Sequence, residues 1–105
     1  MEDREYQERV DGLFNNIEDE IDELDEDIDV DSTAGMLTIE MPDGSNVILS
    51  RQVVNHEIWV AAKSGGYHLS HIEGNWFCAT SDENLGDLLN RVFGEQLGRP
   101  FNHFS

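Results

Sequence analysis

Between Glu18 and Asp31 the chain reads Glu-Asp-Glu-Ile-Asp-Glu-Leu-Asp-Glu-Asp-Ile-Asp-Val-Asp, ten carboxylates in fourteen residues with no basic side chain. This stretch constrains the fold more than any other, because its four apolar residues are not scattered. Ile21, Leu24 and Ile28 continue a three-to-four spacing begun at Tyr6, Val10, Leu13, Phe14 and Ile17, and then Ile28 and Val30 alternate. The first pattern is one stripe of an amphipathic helix and the second is one face of a strand. The spacing predicts a helix from about residue 3 to about residue 25, followed by a strand holding Ile28, Val30 and Ser32. On a helical projection Glu18, Asp22 and Asp25 line one flank of the stripe, while Asp19, Glu23 and Glu26 lie on the outer face. In the strand Asp27, Asp29 and Asp31 share one side. The carboxylates thus form a ridge on the outside of both elements.

The ridge opposes folding. Like charges at i,i+4, such as Glu18/Asp22 and Asp19/Glu23, are each unfavourable by about 0.2–0.5 kcal/mol. Acids at a helix C-terminus also face the wrong end of the helix dipole. Two readings follow from the residues, a surface built for cations or a basic partner and a solvated face of an acidic protein. The whole chain carries 23 acids against 6 Lys and Arg, a net charge of −17. That balance argues against nucleic acid, whose phosphates require a basic footprint, and against anionic membranes. It favours metal cations or basic proteins, and predicts that salt or divalent ions stabilise the fold.

At 105 residues the chain is long enough for one domain, 1–105, with one core. A lone cysteine, Cys78, excludes an internal disulfide and a cysteine-rich metal site. The first residues lack the pattern of a signal peptide, no apolar run approaches a membrane span, and a cytoplasmic location is expected.

Downstream, alternation predicts strands at Met36–Met41, Ser45–Gln52, Ile58–Lys63, Tyr67–Ser70 and Trp76–Thr80. Pro42-Asp43-Gly44 and Glu73-Gly74-Asn75 mark turns, Ala34-Gly35 a tight turn, and Gly65-Gly66 a break. His56 and His71 are expected in loops. Thr80-Ser81-Asp82-Glu83 reads as a capped start of a second helix, with Leu85, Leu88, Leu89, Val92, Phe93 and Leu97 as its stripe and Gly98 and Pro100 as its stop. Phe101 and Phe104 are placed to fold back onto the helices. The order helix, about six strands, helix is satisfied by an α+β two-layer sandwich. Both terminal helices then pack on one face of an antiparallel sheet and the other face meets water. In that arrangement Ile58 and Val60 face the helices, and Trp59 points outward beside Ser50 and Gln52, as an anchor for a partner or under neighbouring side chains.

Arg51-Gln52, Ile58-Trp59-Val60-Ala61, Gly65-Gly66-Tyr67-His68-Leu69, Asn75-Trp76 and Leu88-Leu89, together with the acidic first helix, resemble the frataxin family, and within it the bacterial branch. The resemblance spans essentially the whole chain. It departs at Val54, where a proline is usual, and at Ser50, where an asparagine is common. It implies the same sandwich and a non-enzymatic role in iron–sulfur cluster assembly, as iron donor or sensor for the cysteine desulfurase–scaffold complex. It implies weak, exchangeable iron, Fe²⁺ or Fe³⁺, on Glu18, Asp19, Asp22, Glu23, Asp25, Asp27 and Asp29 with Asp31 adjacent. It also implies docking of the desulfurase's basic surface through Glu18, Asp22, Gln52 and Trp59. Metal-dependent oligomers of a monomer are compatible with it. A ferroxidase that stores iron, and an acidic adaptor with incidental metal, are the competing readings. An exposed carboxylate row without a second shell is expected to take Ca²⁺ and Mn²⁺ as well. His71 or His103 is at most an extra weak ligand. No nucleophile–base pair or phosphate-cradling loop is present.

Overall fold

The computed structural model describes residues 1–24, 26–33 and 35–104. Asp25 of the ridge and Ala34 of the expected tight turn lie outside the described residues. The elements run α1 (Asp3–Asp22), β1 (Asp29–Thr33), β2 (Met36–Glu40), β3 (Asn46–Gln52), β4 (Glu57–Ala62), β5 (Gly65–Ile72), β6 (Asn75–Cys78), β7 (Glu83–Asn84) and α2 (Leu85–Leu97). The strands form one antiparallel meander in the order β1 to β7.

Every strand–strand connection is local, and each sheet-facing alternation resolves as its residues dictate. Leu37 and Ile39, Val47 and Leu49, Ile58 and Val60, Leu69, and Trp76 and Cys78 turn to one face and are buried. The stripes Tyr6, Val10, Phe14, Ile17 and Ile21 of α1 and Leu85, Leu88, Leu89, Val92 and Phe93 of α2 complete that core. Both helices therefore cover the same side of the sheet, and its opposite side is open, as the patterning requires.

Three polar devices fix the helices on the sheet. The buried Tyr6 hydroxyl donates to the Glu57 carbonyl at 2.5 Å and accepts from the Gln52 amide at 2.9 Å, which pins the start of α1 to the β3–β4 end. Burial raises the phenol's pKa, partly offset by that amide hydrogen bond. Arg51 rises from β3 to Asp11 at 2.9 Å and lies 5.3 Å from the centre of the Phe14 ring. Gln96 of α2 accepts from the Lys63 amide at 3.0 Å and donates to Ser45 at 2.8 Å, at the other end of the sheet. Both helices thus run the same way, and Arg99 pairs with Glu26 just beyond their ends.

The tail returns as expected. Phe101 and Phe104 pack on Phe93, and Asn90 grips the Phe104 backbone through both amide atoms, donating at 2.7 Å and accepting at 3.0 Å. Gly94 permits this, since a Cβ there would sit 3.1 Å from the Arg99 carbonyl oxygen.

Five local expectations are corrected. The helix α1 ends at Asp22, three residues short of its expected end near 25, where repelling acids meet the dipole's negative end. Strand β1 begins at Asp29, so Asp27 lies in the connection before it. The β4–β5 hairpin turns at Lys63-Ser64, and Gly65-Gly66 opens β5, with Gly65 at φ 149°. His71 is in β5 opposite Trp76 and not in a loop. The second helix is capped by Asn84, whose side chain accepts from the Asp87 amide at 2.8 Å. Thr80 instead meets Cys78 Sγ at 3.3 Å, and Asp82 takes φ 56°, which turns the chain so that Glu83–Asn84 form a two-residue strand, a sheet of seven in keeping with the expected six or so.

Candidate functional site

The ridge begins on α1. Glu18 is half-buried on the flank that also carries Gln7 and Asp11, the two partners of Arg51. Asp19, Asp22 and Glu23 are exposed, as are Asp27 in the connection and Asp29 and Asp31 on β1. All six Lys and Arg side chains form ion pairs: Arg4 with Glu8, Arg9 with Glu5, Arg51 with Asp11, Lys63 with Asp43, Arg91 with Glu83 and Glu95, and Arg99 with Glu26. Among the described residues none of the seven carboxylates Glu18, Asp19, Asp22, Glu23, Asp27, Asp29 and Asp31 is a partner in any of them. Their charge is left to solvent, ions or another molecule. Among the described residues no three His, Cys, Asp or Glu side chains converge as a ready-made metal site.

The sheet register connects the ridge to Trp59. Asp29 stands opposite Glu40, Asp31 opposite Thr38 and Thr33 opposite Met36. Residues opposite one another share a face. Thr33 therefore heads a row that crosses the open face through Met36, Ser50, Trp59 and His68. Asp31 heads the next row, through Thr38, Ile48, Ala61 and Gly66. The β1 aspartates and Trp59 thus belong to one continuous surface, while the α1 acids lie on the helix that covers the opposite face of the sheet.

Trp59 is neither free nor hidden. It is half-buried, its ring stacks on His68 at 4.2 Å between centroids and 7° between planes, and its Nε1–H donates to Glu57 at 2.9 Å. The other Glu57 oxygen accepts from Ser70. Gln52 is paired across from Glu57 on the same face. An indole held in one orientation loses little freedom on docking, which suits an anchor. His68 and Glu57 carry no role in the sequence reading. The signal for His68 was present, since a two-residue turn at Lys63-Ser64 sets His68 opposite Trp59. Cys78 is fully buried, as its place in a strand implies. Phe77 lies half-buried on the open face, while Trp76 enters the core.

Residues 1–99 match the family described as a frataxin-like domain. The chain belongs to the frataxin family. It is 43% identical over 95 residues to the iron–sulfur cluster assembly protein CyaY of Stutzerimonas stutzeri, covering 89% of this chain and 86% of that one. It is 37% identical over 102 residues to the CyaY of Vibrio cholerae, covering 97% and 98%. The fold superimposes on the frataxin of Psychromonas ingrahamii with a TM-score of 0.89 over the whole of both chains at 27% identity. The two-helix, one-sheet sandwich of this frataxin is therefore the family's.

Proposed function

We propose that this frataxin serves iron–sulfur cluster assembly without being an enzyme. It carries iron weakly on the acidic ridge, and docks the ridge and the Trp59 face onto a basic surface of the cysteine desulfurase complex. Its relatives in Stutzerimonas stutzeri and Vibrio cholerae bear the name iron–sulfur cluster assembly protein. The observation that carries the reading is the row of seven carboxylates without ion-pair partners among the described residues, continuous at β1 with the braced indole of Trp59.

The chemistry is consistent. Carboxylate oxygens suit hard cations, and Fe²⁺ stands low in the order of divalent affinities, so an open row holds it loosely and releases it. Other divalent ions compete. Charge repulsion within the ridge is relieved when a cation or a basic surface arrives, so part of the folding cost returns on binding. Salt weakens a docking of this kind, chiefly through the association rate.

Binding to the purified desulfurase by calorimetry, with desulfurase turnover measured anaerobically with and without Fe²⁺, tests the proposal. The expectation is a salt-sensitive complex, weakened by Asp22→Lys, Asp31→Lys and Trp59→Ala, whose effect on turnover changes with Fe²⁺. A complex indifferent to Fe²⁺ reduces the protein to an acidic adaptor. Catalytic oxidation of many Fe²⁺ ions per chain, each ion giving one electron to O₂, makes it a ferroxidase instead.

A further inference from the structure

On the other side of α1 from the ridge a cleft of about 250 Å³ opens between α1, the β5–β6 turn and the start of α2. Its walls are of mixed character: Ile17, Trp76, Leu89 and Phe104 supply apolar surface, while Asn16 and Glu20, one helical turn apart, supply polar groups together with Asn75 and Asn84. On a helical projection Glu20 lies more than a quarter-turn from Glu18 and Asp22 in the opposite sense, so it is no part of the ridge. Its Oε2 atom is buried and has no hydrogen-bond partner among the described residues. None of the ion pairs that occupy the six basic side chains includes Glu20.

A carboxylate oxygen removed from water without a donor is unfavourable, and a cation is the natural complement. The apolar half of the lining, set beside the polar half, decides which cation. A hydrated metal ion gains nothing from Leu89 and Phe104, whereas an aliphatic stem gains from every methylene it buries there. A primary ammonium brings three donors, which Glu20 and the Asn16 carboxamide can accept, and an indole such as that of Trp76 favours a cation beside it.

The geometry points to this cleft as a binding site for a primary alkylammonium group, with Glu20 as its counter-ion. Two sources carry that group, a free alkylamine and the side chain of a protein lysine. The site is independent of the ridge and of the desulfurase proposal.

Backbone-amide and indole NMR of the full chain tests it, with n-butylammonium chloride titrated against NaCl at equal ionic strength and Nα-acetyl-lysine N-methylamide in a parallel arm. Saturable shifts at Ile17, the Trp76 indole, Leu89 and Phe104 are expected. Glu20→Gln should weaken them about tenfold or more, the scale of one charge-assisted hydrogen bond. Tighter binding of the lysine derivative assigns the site to a protein lysine, and tighter binding of butylammonium to a free amine. The neutral analogue n-butanol gives a second comparison on the unaltered chain and should fail to saturate the cleft. Shifts confined to residues 18–31, equal response to n-butanol, no saturation, or unchanged affinity in a folded Glu20→Gln variant overturns the assignment.

Discussion

Neutralising the end of α1 by Asp22→Asn with Glu23→Gln should stabilise the protein at low salt. In the helix Asp22 faces Glu18 and Asp19, and Glu23 faces Asp19 and Glu20, at spacings of three and four. Four like-charge pairs at about 0.2–0.5 kcal/mol each amount to roughly 0.8–2 kcal/mol. Both residues also sit at the C-terminal end of α1, whose last turn has no basic residue. Each acid there opposes the dipole by about 0.3–1 kcal/mol. These groups are solvated and the effects overlap, so the expected gain is about 1–2 kcal/mol at 10 mM salt. In a domain of this size that raises the midpoint of thermal unfolding by about 4–8 °C per kcal/mol. Urea melts at 10 mM and 1 M NaCl supply the assay. At 1 M the screening length is about 3 Å, below the spacing of helical neighbours, and the gain should fall by more than half. A variant no more stable than the parent at low salt, or equally stabilised at both, would refute the claim that the ridge is held against repulsion.

Trp59→Ala should change stability by less than about 1.5 kcal/mol, because the ring is half-exposed on the open face, while weakening desulfurase binding measured by calorimetry. Asn90→Ala removes both hydrogen bonds to Phe104 and should cost about 1–3 kcal/mol in urea unfolding, with faster hydrogen exchange at the Phe104 amide. Glu83 has its pKa lowered by the hydrogen bonds from Arg91, against the opposing effect of burial. Its folded pKa is thus below its unfolded value near 4.5, so its contribution is full above that pH and disappears as pH falls through the depressed folded value. Glu83→Gln should therefore cost about 1–2 kcal/mol at pH 7, and the gap to the parent should close in urea melts carried below pH 4.

The two helical stripes were legible because burial needs one face and the period of 3.6 reveals it, and the strands because most bury alternate residues. From these the sandwich and the outward aim of Trp59 follow without coordinates. Boundaries were less legible where a tertiary choice overrides a local one. Thr80 and Ser81 have the chemistry of a helix cap, but Cys78 and Phe77 pair with Glu83 and Asn84 before the helix can begin. Gly65-Gly66 has the composition of a turn, yet the hairpin closes two residues earlier on Lys63-Ser64. The ridge acids were legible as a charge run, though not their continuity with the open face, because strand register places Asp31 and Trp59 on one surface across three intervening connections. The pairing of His68 with Trp59 follows once the hairpin closes at Lys63-Ser64, whereas the cleft at Glu20 joins residues far apart in the chain, and no period in the sequence reports it.

An anaerobic Fe²⁺ titration followed by backbone-amide NMR, with Mg²⁺ at matched ionic strength beside it, tests the central claim most directly. Selective broadening across residues 18–31 with Fe²⁺, beyond any effect of Mg²⁺, is the predicted result. Equal and diffuse responses to the two ions would mean simple charge screening and would contradict the ridge as an iron site.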